Sequence, residues 1–383
     1  MPFLLLLLLL APSAFAQIPL RQTINFTQAC TPGRHFVVMG VGDVLLHGPL
    51  QTQAAHRRDY STLWEQAIPY IRGADTAYAN FEGPSAPGII RGGSQVADVG
   101  WRFENNVYSG FPSFNYHPES AKALVEDGFD VLSLANNHAL DRGALGLERT
   151  IETMESAGAV HTGTRARNNS WTIGKIVRRN GLTTGWISCA FSTNGIPDPN
   201  QLVLSCLRDR AQILATIRRN TPRTDAIIIT PHWGNEEQQQ PTSEQRQFAR
   251  DVIAAGAKLV IGNHPHVLQP VEKIAGPAGD ALVAYSLGNF VSNQRQMIQQ
   301  TTALLFVGLT KTPTGRTHIN GFKLLPAAMV GRGTGSMTLD LLNRDQRASA
   351  NARHFLNIFA DAHTVWNGQE VVPNDGCRAR GRP

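Results

Sequence analysis

The sequence predicts a layered α/β fold. Short β-branched runs alternate with segments of helical periodicity along most of the chain. Several of the runs, such as DAIIIT at 225–230 and AKLVIG at 257–262, are apolar without polar alternation. Strands of that kind are buried on both faces, as in a parallel sheet covered by helices.

The elements follow in order. Residues 35–44 (HFVVMGVGDV) read as a buried strand. Residues 60–71 carry helical spacing, which Pro69 should end or kink. A second strand is expected at 74–81, followed by a Gly-rich surface loop from Pro84 to Phe114. A helix opens at Pro118 and ends before Gly128; a strand follows at 129–135 and a helix at 143–156, stopped by Gly158. Residues 171–177 and 182–191 flank Asn180-Gly181 and read as an antiparallel pair. A helix at 207–219, a strand at 225–230, and a helix at 242–255 follow, the last capped by Thr242 or Ser243 and stopped by Gly256. Strands are expected at 257–261 and 281–286. More follow between 302 and 325, turning at 312–316, and residues 350–366 suit a helix.

Composition sets the outer limits. The chain has 383 residues, of which 42% are hydrophobic and 17% charged, so it can bury a sizeable core and is not a disordered polymer. Residues 2–16 (PFLLLLLLLAPSAFA) read as a secretory signal cleaved near Ala16, although no Lys or Arg precedes the Leu run. The run is too short to span a bilayer, and no transmembrane span is expected in the mature chain. The expectation is therefore an exported protein, in the periplasm, at the cell surface or secreted. Its formal charge of +6 survives cleavage, because residues 1–16 carry no charged side chain. The basic residues are dispersed and not interleaved with aromatics, so no specific nucleic-acid partner is expected. Four cysteines in an exported chain suggest disulfides, with three connectivities possible. The favoured pairing is Cys189–Cys206 with Cys30–Cys377. No C-x-x-C occurs, which argues against a thiolate metal site.

Chemistry collects after the strands. Six of them end in Gly42-Asp43, Asn80-Phe81-Glu82, Asn136-Asn137-His138 with Asp141 behind, His232-Trp233-Gly234, Asn263-His264-Pro265-His266, and Gly288-Asn289. Ligands of α/β sheets bind beyond the carboxyl ends of strands. Any one of these groups could be an ordinary turn, but the same residue types recur at the same end. Carboxylate, amide oxygen and imidazole without thiolate suit Mn, Fe or Zn, as one or two divalent transition ions. Two ions about 3.5–4 Å apart with a bridging carboxylate, and a nearby His as proton donor, make a phosphoester hydrolase layout.

The strings GDVLLHG, NFEGP, LANNHALDRGALGLERT, PHWGNEE, AKLVIGNHPHVLQPVE and YSLGNFV occur in that order. They resemble the bacterial capsule-synthesis CapA family, linked to poly-γ-glutamate capsule formation. The resemblance runs from about Phe36 to Asn293. It implies a four-layer α/β/β/α sandwich similar to calcineurin-like metallophosphoesterases. It divides the chain into a signal peptide (1–16), an N-terminal extension (17–35), the family domain (36–330) and a C-terminal extension (331–383). By motif, Asp43 and His266 correspond to first-metal ligands and Glu82 to the bridging carboxylate. Asn137, His232 and His264 correspond to second-metal ligands. His138 corresponds to the general acid or phosphate contact, with Asn136 and Asp141 holding its turn. Asn289 reads as structural or pocket-lining.

Three positions depart from the pattern. The wider phosphoesterase motif D-x-H is absent: Val44 and Leu45 follow Asp43, and His47 is two residues further on, where it reads as a surface or supporting residue. The bridging residue is Glu rather than Asp. Glu237 stands where the family commonly places an aromatic. Two functions remain open. One is an exported metal-dependent hydrolase acting on a phosphoester of an envelope polymer or precursor. The other is a non-catalytic binding or assembly factor for an anionic polymer, working with envelope polymer-synthesis machinery.

Overall fold

The computed structural model describes residues 17–374 and 377. The signal segment 1–16 lies outside the described residues, as does most of the Arg-rich terminus. Two sheets form the centre. The first contains β1 (Arg34–Val44), β2 (Thr76–Phe81), β3 (Val131–Ser133) and β4 (Val160–Thr162), all parallel, with β11 (Asn289–Val291) beside the end of β1. It continues antiparallel through β12 (Thr301–Lys311), β13 (Thr317–Val330) and β14 (Thr338–Leu341). The second runs β5 (Lys175–Arg179), β6 (Leu182–Ala190), β7 (Ala226–His232), β8 (Leu259–Ile261), β10 (Gly279–Leu287), β9 (Leu268–Gly276). Its four central strands are parallel.

Strand periodicity sorts the side chains into three apolar layers. Val38, Tyr78 and Val131 of the first sheet meet Trp186, Ile228 and Ile261 of the second. Tyr78 stacks on Trp186 with ring centroids 5.5 Å apart. Their neighbours Met39, Ala79 and Leu132 point the other way, onto α1 (Gly48–Arg57), α2 (Ile68–Arg72), α3 (Glu119–Glu126) and α4 (Gly143–Ala157). On the far side, Ile227, Ile229 and Val260 pack on Ile213 and Ile217 of α5 (Arg210–Asn220) and Phe248 and Val252 of α6 (Ser243–Ala254). Burying each such aliphatic side chain is worth roughly 1.5–3 kcal/mol. The result is the four-layer α/β/β/α sandwich that the family resemblance implies. Two short helices, α7 (Met297–Gln300) and α8 (Ala350–Ile358), flank β12 and β13. Both favoured disulfides are present, Cys30–Cys377 and Cys189–Cys206.

Several local expectations are corrected. Pro69 does not end a helix; after two 3₁₀ turns it sits in the first turn of α2, where its missing N–H costs nothing. The strand expected from Trp171 begins only at Lys175, after Gly174 takes a left-handed φ of 84°. The helix expected from Leu207 starts at Arg210, and that expected over 350–366 stops at Ile358. The segment from Pro84 to Phe114 is not merely a surface loop. Ala86, Ile89, Val107, Tyr108 and Phe114 are buried, and the Arg142 guanidinium at the start of α4 ties Ser109 and Ser113 to it. Sequence periodicity missed β4, β9, β11 and β14. The first, third and fourth are three or four residues long. β9 carries Pro270 and is an edge strand, the place where Pro is tolerated.

Candidate metal centre

The parallel strands of both sheets end on the same side of the sandwich, which brings the six sequence groups together. One close approach and one left-handed bend make the geometry possible. Gly42 lies against Gly288, where a Cβ would come 1.9 Å from the Gly288 carbonyl oxygen. Gly288 itself has φ 75° and passes the chain from β10 in one sheet to β11 in the other. Asp43 and Asn289 are thereby set side by side. His264 and His266 follow β8 with φ 97° and 58°, a left-handed bend around Pro265 that turns both rings into one place. Their ring centroids are 5.8 Å apart, and His264 is 4.6 Å from His232.

Glu82 is at the middle. Its Oε1 is 3.5 Å from His232 Nε2 and 3.8 Å from His266 Nε2. Ligand atoms gather within 4.8 Å of one another in two groups that share Glu82, one with His264 and His266, the other with Asp43 and His232. Asn137 Oδ1 is 2.9 Å from His232 Nε2, so amide and imidazole point at one spot. His266 Nδ1 faces Asp43 Oδ2 at 3.2 Å and Asn289 Oδ1 at 2.9 Å, which leaves Nε2 directed toward Glu82. The backbone N–H of His264 donates to Asp43 Oδ2 at 3.1 Å.

The residues fit a divalent cation. Glu82 is wholly buried, and among the described residues neither of its carboxylate oxygens has a hydrogen-bond partner. The Asn80 side-chain oxygen and His264 Nδ1 are buried and unpartnered as well. A buried carboxylate without partners is expensive, and a positive ion between these donors removes the cost. The electrostatics agree. Burial, reinforced by the Asp43 charge, raises the Glu82 carboxyl well above its usual range. Burial lowers the imidazoles of His264, to about 4, and His232. At His266 burial is outweighed by the Glu82 charge and the hydrogen bond to Asp43, and its pKa rises to about 9. A proton is thus drawn to the place where a cation would neutralise the two acids. Oxygen and nitrogen donors without sulfur suit Mn, Fe or Zn.

The remaining sequence candidates surround this cluster. His138 Nδ1 is 2.8 Å from Asp141 Oδ2, and Asn136 joins the His138 backbone N–H (3.2 Å) to the Phe81 carbonyl (2.8 Å). Phe114 packs edge-on against His138, at 4.7 Å, and against His47, at 5.5 Å. His47 belongs to neither ligand group; its Nδ1 lies 3.1 Å from the Leu45 carbonyl and 3.3 Å from the Asn293 N–H. Leu45, which stands where a D-x-H motif has its histidine, points into the core with Val44. Glu237 is exposed and accepts from Gln299.

Sequence reasoning left two contributors unassigned. Asn80 donates to Asp43 Oδ1 at 2.7 Å and lies 3.2 Å from His232 Nδ1. It is two residues before Glu82, on the same strand face, and that spacing was its available signal. Tyr116 donates its hydroxyl to the Glu82 carbonyl. It comes from the 84–117 segment, and nothing local in the sequence links it to Glu82.

The family model for the bacterial capsule synthesis protein PGA_cap matches residues 37–294. The chain belongs to the PGA_cap family. This PGA_cap protein is 27% identical over 285 residues to the PGA biosynthesis protein CapA of Bacillus subtilis, covering 73% of this chain and 69% of that one. It is 28% identical over 296 residues to the capsule biosynthesis protein CapA of Bacillus anthracis, covering 74% and 67%. Among solved structures it is similar to the NAD nucleotidase of Haemophilus influenzae, at 13% identity and a TM-score of 0.46, covering 91% of this chain and 60% of that one. Every residue of the ligand cluster falls inside the matched 37–294 region. Among the described residues, no helix of the PGA_cap protein is long and apolar enough to cross a membrane.

Proposed function

We propose that the chain is an exported, metal-dependent hydrolase of envelope-polymer synthesis, acting on a phosphoester of an anionic polymer such as poly-γ-glutamate or of its precursor. The observation that carries the reading is the unpartnered Glu82 carboxylate, wholly buried among Asp43, His232, His264 and His266. In this reading Asp43, Glu82, Asn137, His232, His264 and His266 would hold two divalent ions, with Glu82 common to both. Such ions supply Lewis-acid polarisation of a phosphoryl oxygen and make water more acidic. The chain's own groups do the rest. Asp141 fixes the His138 ring through Nδ1, so that Nε2 is the atom that passes a proton to the leaving oxygen. Phe114 holds that ring from the side, and Asn136 holds its backbone. Export is supported by the leader-like residues 1–16 and by the two disulfides, which need an oxidising compartment.

A second reading, a non-catalytic metal-containing factor that grips or assembles the polymer, is favoured by one observation. His47 is outside both ligand groups, and no other histidine fills the D-x-H place. Two measurements separate the readings. Elemental analysis of residues 17–383 after Mn²⁺ loading should give two ions per chain for the hydrolase. An aryl phosphodiester should then be hydrolysed by the wild type and not by His138→Ala. Equal rates in the two proteins, or no more than one ion bound, would move the assignment to the binding factor.

A further inference from the structure

A second cavity, of about 580 Å³, lies at the opposite end of the sandwich from the metal cluster. Strand β7 enters it at Ala226 and reaches the cluster at His232, so roughly 20 Å separates the two places at about 3.3 Å per residue. Both sheets contribute. Lys258 stands just before β8, the turn Pro277–Gly279 joins β9 to β10, and Arg316 and His318 come from the β12–β13 hairpin. The volume is in the range of small-molecule sites.

The cavity is built for negative charge. Lys258 is only 5% exposed, and its ammonium donates to the Ala278 carbonyl at 2.7 Å. An ammonium has three donors, and no carboxylate among the described residues pairs with this one. Asp280 acts on it only at longer range and is already held by the Thr27 N–H at 2.7 Å. The acid that does line the cavity, Asp225, is bound by the Lys311 ammonium at 2.9 Å and the Thr183 N–H at 2.7 Å. Arg316 is exposed at the mouth and makes no ion pair among the described residues. His318 lies close enough to both cations that, after burial, their charges are what lower its pKa. A buried cation without an anionic partner is costly, and a bound anion removes that cost.

We propose that this cavity binds a small anion of carboxylate or phosphate chemistry, held by Lys258 and Arg316. The site stands whether or not the metal cluster hydrolyses anything, because it shares no residue with it. A carboxylate there would point to the side chains of a glutamyl polymer, and a phosphate to a phosphorylated precursor or free phosphate.

Isothermal titration of the metal-loaded mature chain with inorganic phosphate, and separately with glutarate, tests this. One of the two should bind with a single additional site. Its affinity should fall roughly tenfold or more in Lys258→Met and in Arg316→Ala, with metal content unchanged. Arg316 is exposed, so its variant keeps the test valid if Lys258→Met folds poorly. Three results would overturn the proposal: no binding of either anion, equal affinity in wild type and Arg316→Ala, or binding lost in Asp43→Ala but kept in Arg316→Ala. The last would assign the anion to the metal cluster.

Discussion

Asp141 Oδ2 lies 2.8 Å from His138 Nδ1 and accepts the backbone N–H of Phe114 at 2.7 Å through the same oxygen. One carboxylate atom therefore sets both the ring and the aromatic wall beside it. If His138 delivers the proton, His138→Ala should lower kcat for an aryl phosphodiester by about 10²–10⁴-fold. Asp141→Asn should lower it less, with metal content intact. A loss of metal in either variant, measured by elemental analysis, would show that the residues support the ligands rather than the proton transfer.

Gly42 has no room for a side chain, since its Cβ would meet the Gly288 carbonyl at 1.9 Å. Gly42→Ala must push apart the backbone that carries Asp43 and Asn289. We expect a destabilisation of about 1–3 kcal/mol or more and a lower metal stoichiometry. Thermal unfolding with and without Mn²⁺ checks both. An unchanged midpoint and full metal content would contradict the close approach.

Lys258 gives a pH dependence. Burial lowers its pKa from 10.5 to about 8, the Asp280 charge opposing. Below 8 both folded and unfolded chains carry the proton, and the burial penalty is fully present. Between about 8 and 10.5 the unfolded chain keeps a proton that the folded chain has lost, so stability rises with pH through that window. The gain is on the order of 3 kcal/mol. Urea unfolding in anion-poor buffer should show wild-type stability rising relative to Lys258→Met over this range. A relative fall there would reverse the sign and reject the assignment.

The Cys189–Cys206 bridge joins the end of β6 to the segment leading into α5, over a sequence separation of 17. Both cysteines are wholly buried. Replacing both by Ser should cost about 2–4 kcal/mol, chiefly by freeing the unfolded chain. Denaturant titration of the double variant against wild type, both without reductant, measures it. Equal midpoints would mean that the bridge constrains nothing.

Much of the site was legible because its chemistry is local in the chain. Asn136, His138 and Asp141 sit within six residues, and His264 and His266 flank one Pro. The strands that carry them are apolar enough to be read from composition, as Ala226–His232 shows by being buried throughout. Short or mixed strands were not legible. β4 (VHT) and β11 (NFV) have three residues each and lack the flanking apolar run that makes the equally short β3 and β8 readable. Asn80 and Tyr116 were missed for another reason: each matters through a partner distant in sequence, His232 for the first and Glu82 for the second.

By itself the sequence determined the layered α/β class and the residue types at the strand ends. Those follow from periodicity, composition and short motifs, which act over a few residues. Only the tertiary structure decided that Asn80 holds Asp43 and reaches His232, and that Lys258 and Arg316 share a distant cavity. Each of these joins residues from different strands, and the joining depends on sheet order and on the facing of two sheets. No local signal encodes that arrangement, because it is the burial of three apolar layers at once that selects it.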